Sequence, residues 1–163
     1  MSLSSHQSAR IGTDVWLTPP AILKALGPFD LDPCAPLSRP WDTARRHFTL
    51  EDDGLSQEWS GRVWLNPPFG REAVEWLRRL CRHGNGVALI PARTETAMFY
   101  ECVWGHAHAV LFMRGRPHFH RADGTRAPFN SGAPICLVAY GDENHAVLKQ
   151  SGLGWVVASR FGG

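Results

Sequence analysis

Apolar residues fall into short runs separated by proline, glycine and charged residues, and their period changes from run to run. After Thr18-Pro19-Pro20, the stretch from Ala21 to Leu26 has helical spacing. Thr18 is the candidate cap, proline occupies the first turn and Gly27-Pro28 is the stop. Phe29 to Asp32 predicts a short strand running into Pro33, followed by loop-like chain to Phe48. Arg62 to Leu65 is β-favouring and ends abruptly at Asn66-Pro67-Pro68. Apolar spacing at Ala73, Val74, Leu77, Leu80 and Cys81 predicts a helix over Arg71 to His83, closed by Gly84. Gly86 to Ile90 predicts a buried strand stopped by Pro91. Thr94 to Trp104 predicts a helix capped by Thr94 and ended by Gly105. Ala109 to Met113 and Ile135 to Tyr140 predict two further strands. A basic, turn-rich segment joins them in place of a helix, so they should run antiparallel.

Strands alternating with helices predict an α/β fold on a mostly parallel sheet, with ligands at the carboxyl ends of the strands. No repeat or linker divides the chain. The expected organisation is a flexible tail over residues 1–12 and one domain over 13–163. No apolar run is long enough to span a membrane, and the polar N-terminus has no secretory core. Cys34, Cys81, Cys102 and Cys136 are scattered without zinc spacing, which predicts no metal site, a reducing cytoplasmic setting, and core roles for the last three. The formal net charge of +2 is unevenly placed: residues 1–60 carry 5 basic and 8 acidic side chains, and residues 61–163 carry 12 and 7. Arg114, Arg116, Arg121 and Arg126 lie close together with His118 and His120, opposed by Asp123 alone. Such an excess suits a polyanionic partner.

The densest chemistry is in Val63-Trp64-Leu65-Asn66-Pro67-Pro68-Phe69-Gly70. A strand ending in a polar residue, two prolines and an aromatic makes a stiff loop, and the prolines leave carbonyls without neighbouring N–H groups. The Asn66 side-chain oxygen and the Pro67 carbonyl form an acceptor pair for the two hydrogens of a planar exocyclic amine. They favour its pyramidal, nucleophilic form and stabilise positive charge as a methyl group arrives. Pro68 stiffens the loop, and Phe69 offers a stacking face for a base outside the duplex.

Taken in order, DVWLTPPAIL, FDLDPCA, EDDGLSQEW, VWLNPPFG and LIPART resemble the phage-type Dam family of DNA N-6-adenine methyltransferases, from Asp14 to Gly141. The resemblance implies a reduced Rossmann-like class I fold, S-adenosylmethionine as cofactor, DNA as substrate, and a phage or prophage origin. It also implies a cofactor site. Thr18 and Pro19 would lie against the methionine end, with Trp16 packing on the cofactor or in the core. Asp32, Pro33, Cys34 and Ala35 would form the strand end and loop of motif I, and Asp53 would accept from the cofactor's adenine amino group. Asp42 is the candidate for the ribose hydroxyls. Motif I in such enzymes usually carries a glycine-rich loop, but no glycine lies between Gly27 and Gly54, which predicts modest cofactor affinity.

Target recognition is expected from Arg93 and Thr94 after the LIP strand, from Arg114, Arg116, Arg121 and Arg126 on phosphates, and from Phe119 or Phe129 as a wall for the flipped base. The chain should act as a monomer or homodimer. Pro33-Cys34 also invites cytosine-C5 chemistry, but the thiolate would be needed in the loop that NPPF occupies. Two readings stand beside adenine methylation: methylation of a protein glutamine amide, and a nucleic-acid-binding module without cofactor.

Overall fold

The computed structural model describes residues 16–128 and 130–159; the expected tail at 1–12 and Phe129 lie outside them. A seven-stranded sheet is built from β1 (Leu31–Asp32), β2 (Arg46–His47), β3 (Val63–Leu65), β4 (Gly86–Pro91), β5 (Ala109–Met113), β6 (Ile135–Tyr140) and β7 (Gly154–Ala158), in the order β2-β1-β3-β4-β6-β5-β7. The helices are α1 (Pro20–Leu26), α2 (Ala73–His83), α3 (Ala97–Cys102) and α4 (Asp142–Ser151).

The expected mixed α/β architecture is present, but the sheet is parallel only in its first half. Ladders β1–β2, β1–β3 and β3–β4 are parallel; β4–β6, β5–β6 and β5–β7 are antiparallel. Strand β6 inserts between β4 and β5, pairing with β4 from Gly86↔Tyr140 to Pro91↔Ile135. The anticipated antiparallel pair is therefore correct, and it extends further than the single strand expected. The physical reason is connectivity: a loop rather than a crossover helix returns the chain from β5, so β6 must reverse direction. Consequently β1, β3, β4 and β5 all end at one edge of the sheet, and the loops after them share that edge.

Alternation along the strands divides the core into two clusters. Val63, Leu65, Ala88 and Ile90 pack with Leu77 and Leu80 of α2 and Phe99 of α3. Trp64, Val87 and Leu89 pack with Ile22 and Leu26 of α1 and Leu148 of α4. Both faces of β4 are thus covered, which accounts for its unbroken apolar run.

Element boundaries show where local rules yield to tertiary context. Helix α1 starts at Pro20 with Pro19 as N-cap and no side-chain cap bond, so the Thr18 cap expectation is overturned. Helix α2 ends as expected at Gly84, which adopts φ 78°. Helix α3 is shorter than its sequence run: Thr96, not Thr94, accepts from the Phe99 amide as the cap. Elements α4 and β7, which the apolar pattern did not predict, close the fold. Among α4 residues only Asn144 and Leu148 are buried, and Trp155 and Val157 of β7 are exposed, so neither element carries a strong periodic signal.

Behind the functional edge, Arg62 forms a buried tie. Its Nε donates to Asn144 Oδ1 at 2.6 Å and its Nη1 to the Pro28 carbonyl at 3.0 Å, while the guanidinium lies 4.3 Å from the Phe29 ring centroid. Among the described residues, no helix is long and apolar enough to cross a membrane.

Candidate active site

A pocket of about 320 Å3 opens at the shared strand edge. Its walls come from four separated stretches: Trp16 to Thr18 before α1, Asp32 and the loop that follows it, Asn66 to Phe69 after β3, and Phe119 in the basic segment. Half of the residues singled out from the sequence meet here, although 103 positions separate the outermost of them, Trp16 and Phe119.

Asn66 sits directly after β3. Its Nδ2 donates to Thr18 Oγ1 at 3.2 Å and reaches the Trp16 carbonyl at 3.4 Å. Both amide hydrogens are thereby directed at protein acceptors, which turns Oδ1 away from them. Pro67 is buried, whereas Pro68 and Phe69 are exposed beside it. The Phe69 and Phe119 rings stand edge to face with centroids 6.4 Å apart, an arrangement favoured by their quadrupoles. Trp16 is 44% exposed, so it lies at the mouth and not in the core.

Asp32 is buried at the end of β1. Burial pushes its carboxyl up to about 6, against the lowering effects of the Thr43 hydroxyl, the Cys34 amide and the charge of Arg39. Thr43 donates to Oδ2 and the Cys34 amide to Oδ1 at 3.1 Å. Cys34 and Ala35 line the pocket beside it. Burial and the neighbouring Asp32 carboxylate hold the Cys34 thiol well above the usual thiol range, the opposite of what a nucleophilic cysteine requires.

Pro19 and Pro33 do not line this pocket; Pro19 is the N-cap of α1 and Pro33 is buried behind the loop. Asp53 is exposed, also outside the lining, and adopts φ 52°. The residue after it packs against the glycine-free loop. A Cβ on Gly54 would stand 1.9 Å from the Pro33 carbonyl oxygen, so the close backbone approach at the end of β1 is provided from the neighbouring segment. Asp52 accepts from the Thr49 amide at 2.8 Å as a turn carboxylate, and Asp42 is exposed in an ion pair with Arg39 at 3.6 Å.

The basic segment is tied to the site. Leu17 donates its amide to the His120 carbonyl at 2.7 Å and accepts the His120 amide at 3.0 Å, while His120 also bridges to Arg126. The His120 ring stands edge-on to Trp41 at 5.2 Å. Arg114, Arg116, Arg121 and Arg126 are exposed, and Arg116 donates to the Gly132 carbonyl at 3.0 Å. Arg93 is exposed and Thr94 half-buried after β4, at the same sheet edge but outside the lining.

The sequence model of the family described as DNA N-6-adenine-methyltransferase (Dam) matches residues 5–144. The chain belongs to the Dam family. No curated protein and no solved structure matches it.

Membership in the Dam family makes DNA adenine-N6 methylation the general activity of the group to which this chain belongs. The matched stretch includes every wall of the pocket. Leu17, Pro36, Thr43 and Trp64 also line the pocket and were not singled out in the sequence. Leu17 and Trp64 sit beside motif residues, so adjacency was an available signal. Thr43 had none, because its link to Asp32 spans 11 residues of irregular chain. Among the described residues no cluster of three or more His, Cys, Asp or Glu side chains is arranged to hold a metal ion.

Proposed function

We propose that this Dam-family chain transfers a methyl group from S-adenosylmethionine to N6 of an adenine swung out of DNA, on a reduced Rossmann-like class I scaffold. The observation that carries this reading is the orientation of Asn66. With Nδ2 directed at Thr18 and Trp16, Oδ1 is left as an acceptor, and Pro67, the next residue of the pocket lining, carries a second carbonyl.

The residues present fit the cofactor. A buried carboxylate at the end of β1 can hold its ammonium, and the Thr18 segment can flank its methionine end. Bound S-adenosylmethionine supplies an electrophilic methyl group. Asn66 Oδ1 and the Pro67 carbonyl hold the two N6 hydrogens, draw the lone pair out of conjugation, and stabilise the positive charge that develops on N6. Transfer would form the N6–methyl bond at the expense of the donor's sulfur–methyl bond, and N6 would pass one proton to water. The Phe69–Phe119 pair offers aromatic faces to the flipped base. Arg93 and the exposed arginines at 114, 116, 121 and 126 would neutralise phosphates on either side.

A glutamine side-chain amide presents the same two hydrogens. The Leu17–His120 bridge ties the arginine-rich segment to the pocket and supports the polyanionic substrate instead. The pocket around Asp32 and Asn66 likewise argues against a module without cofactor. The test is transfer of a labelled methyl group to DNA, followed by nucleoside identification. Labelled N6-methyl-2′-deoxyadenosine is expected from the wild type, and an Asn66→Ala variant should bind cofactor but transfer nothing. Label on protein and none on DNA would overturn the reading.

A further inference from the structure

Trp64 is fully buried, lines the pocket, and has an indole N–H with no hydrogen-bond partner among the described residues. Packing explains the rest of its side chain. The ring sits in the second core cluster, 5.3 Å from the Phe29 centroid. A phenylalanine would fill such a position without burying an unpaired N–H, which costs about 1–3 kcal/mol when left unsatisfied. An acceptor arriving from the pocket that Trp64 lines would satisfy this N–H and account for tryptophan at the position.

Register identifies where that acceptor would lie. Leu31 pairs with Val63 in parallel ladder, and both point into the first core cluster. The next residues, Asp32 and Trp64, therefore turn to the opposite face on adjacent strands, about 5 Å apart in the ladder direction. A ligand group held by Asp32 is within reach of the indole. The other donors in the lining are largely engaged: Thr43 donates to Asp32, and Asn66 Nδ2 is directed at Thr18 and Trp16. Among the described residues no lysine or arginine lines the pocket. A carboxylate bound here meets neutral side-chain donors: the Trp64 indole and the Thr18 hydroxyl proton inside, and the Trp16 indole at the mouth.

We infer that the Trp64 N–H donates to the α-carboxylate of the methionine end of S-adenosylmethionine, while Asp32 holds the ammonium on the same carbon. Two strand-borne side chains, one acceptor and one donor, thus form a receptor for an amino-acid zwitterion. The inference rests on the proposed cofactor reading and deepens it.

Calorimetric titration of wild type and Trp64→Phe with S-adenosylmethionine and with its decarboxylated analogue tests the assignment. The phenylalanine variant should bind S-adenosylmethionine about tenfold or more weakly, as expected for loss of a hydrogen bond to a charged group, and the analogue within about twofold of wild type. Equal losses for both ligands, or no loss for either, would overturn the role. Wild-type protein that binds neither ligand would sink the cofactor reading along with it. Should Trp64→Phe not fold, the indole N–H resonance of Trp64 in wild-type protein serves instead. It should shift and gain exchange protection with S-adenosylmethionine but not with the analogue, and an identical response to both would reject the assignment.

Discussion

The Asn66 side-chain amide donates to the hydroxyl oxygen of Thr18 across 48 residues of sequence, joining the loop after β3 to the segment before α1. This bond fixes which end of the carboxamide is left for a substrate. Thr18→Val keeps the shape and removes the acceptor. Methyl transfer should fall about five- to tenfold, the equivalent of one ordinary hydrogen bond, with Thr18→Ser restoring most of it. Single-turnover rates on saturating DNA read the effect, and an unchanged rate in Thr18→Val would show that Asn66 is oriented by something else.

Asp32 gives a pH dependence of definite sign. Its folded-state value of about 6 lies above the unfolded value of about 3.9, so between these limits the folded chain binds more protons. The Asp32 contribution to stability therefore falls as pH rises from about 4 to about 6, and is level above that. The full change is on the order of 3 kcal/mol. Urea midpoints of wild type minus Asp32→Asn should show this slope, with the variant the more stable at pH 7. Affinity for S-adenosylmethionine should move the opposite way, rising through pH 6 as the carboxylate ionises to meet the ammonium.

Cys34 lies in the pocket but its thiol is held in the neutral form. Cys34→Ser is expected to retain transfer within about tenfold, given the modest change in side-chain size and polarity. Loss of all activity with intact folding and cofactor binding would require a covalent role for the thiol.

Gly54 is where backbone meets backbone behind the motif I loop. Gly54→Ala would force a Cβ against the Pro33 carbonyl and should cost about 3 kcal/mol or more of stability. Denaturant unfolding reads this directly, and a neutral substitution would mean that the loop has room to withdraw.

Arg121 and Arg126 are exposed on the segment that reaches the pocket mouth. Replacing each by alanine should weaken DNA binding without changing cofactor affinity. Each phosphate contact removed should reduce the salt slope of binding by about 1. Binding isotherms at several salt concentrations check this, and an unaltered slope would move the DNA path elsewhere.

What the sequence disclosed follows from how far apart the interacting parts lie. Asn66-Pro67-Pro68-Phe69 was legible because strand end, acceptors and aromatic are consecutive. Strands β5 and β6 were legible because their apolar runs are buried on both faces. Thr43 was not, since a hydroxyl in an irregular loop says nothing about which carboxylate it will meet. Thr18 was half legible: its place beside the prolines suggested a cap, yet the hydroxyl takes the Asn66 amide and α1 begins uncapped. Asp53 looked suitable by residue type, but its backbone turns to bring Gly54 against Pro33 and its side chain ends outside the pocket lining. Helix α4 was missed because it anchors through Asn144, which bonds Arg62, Asn85 and the Tyr140 carbonyl, where a hydrophobicity pattern looks for leucine.

The pair of backbone hydrogen bonds between Leu17 and His120 has a thermodynamic consequence. One partner lines the pocket between Trp16 and Thr18, and the other belongs to the arginine segment. If the polymer orders that segment, the small ligand finds part of its wall already in place, and the reverse must hold by the same factor. The affinity of DNA measured with and without cofactor should then close a cycle with the affinity of cofactor measured with and without DNA. The difference between rows of that cycle is the coupling free energy between the arginine segment and the pocket, to which these two peptide groups are the direct backbone link.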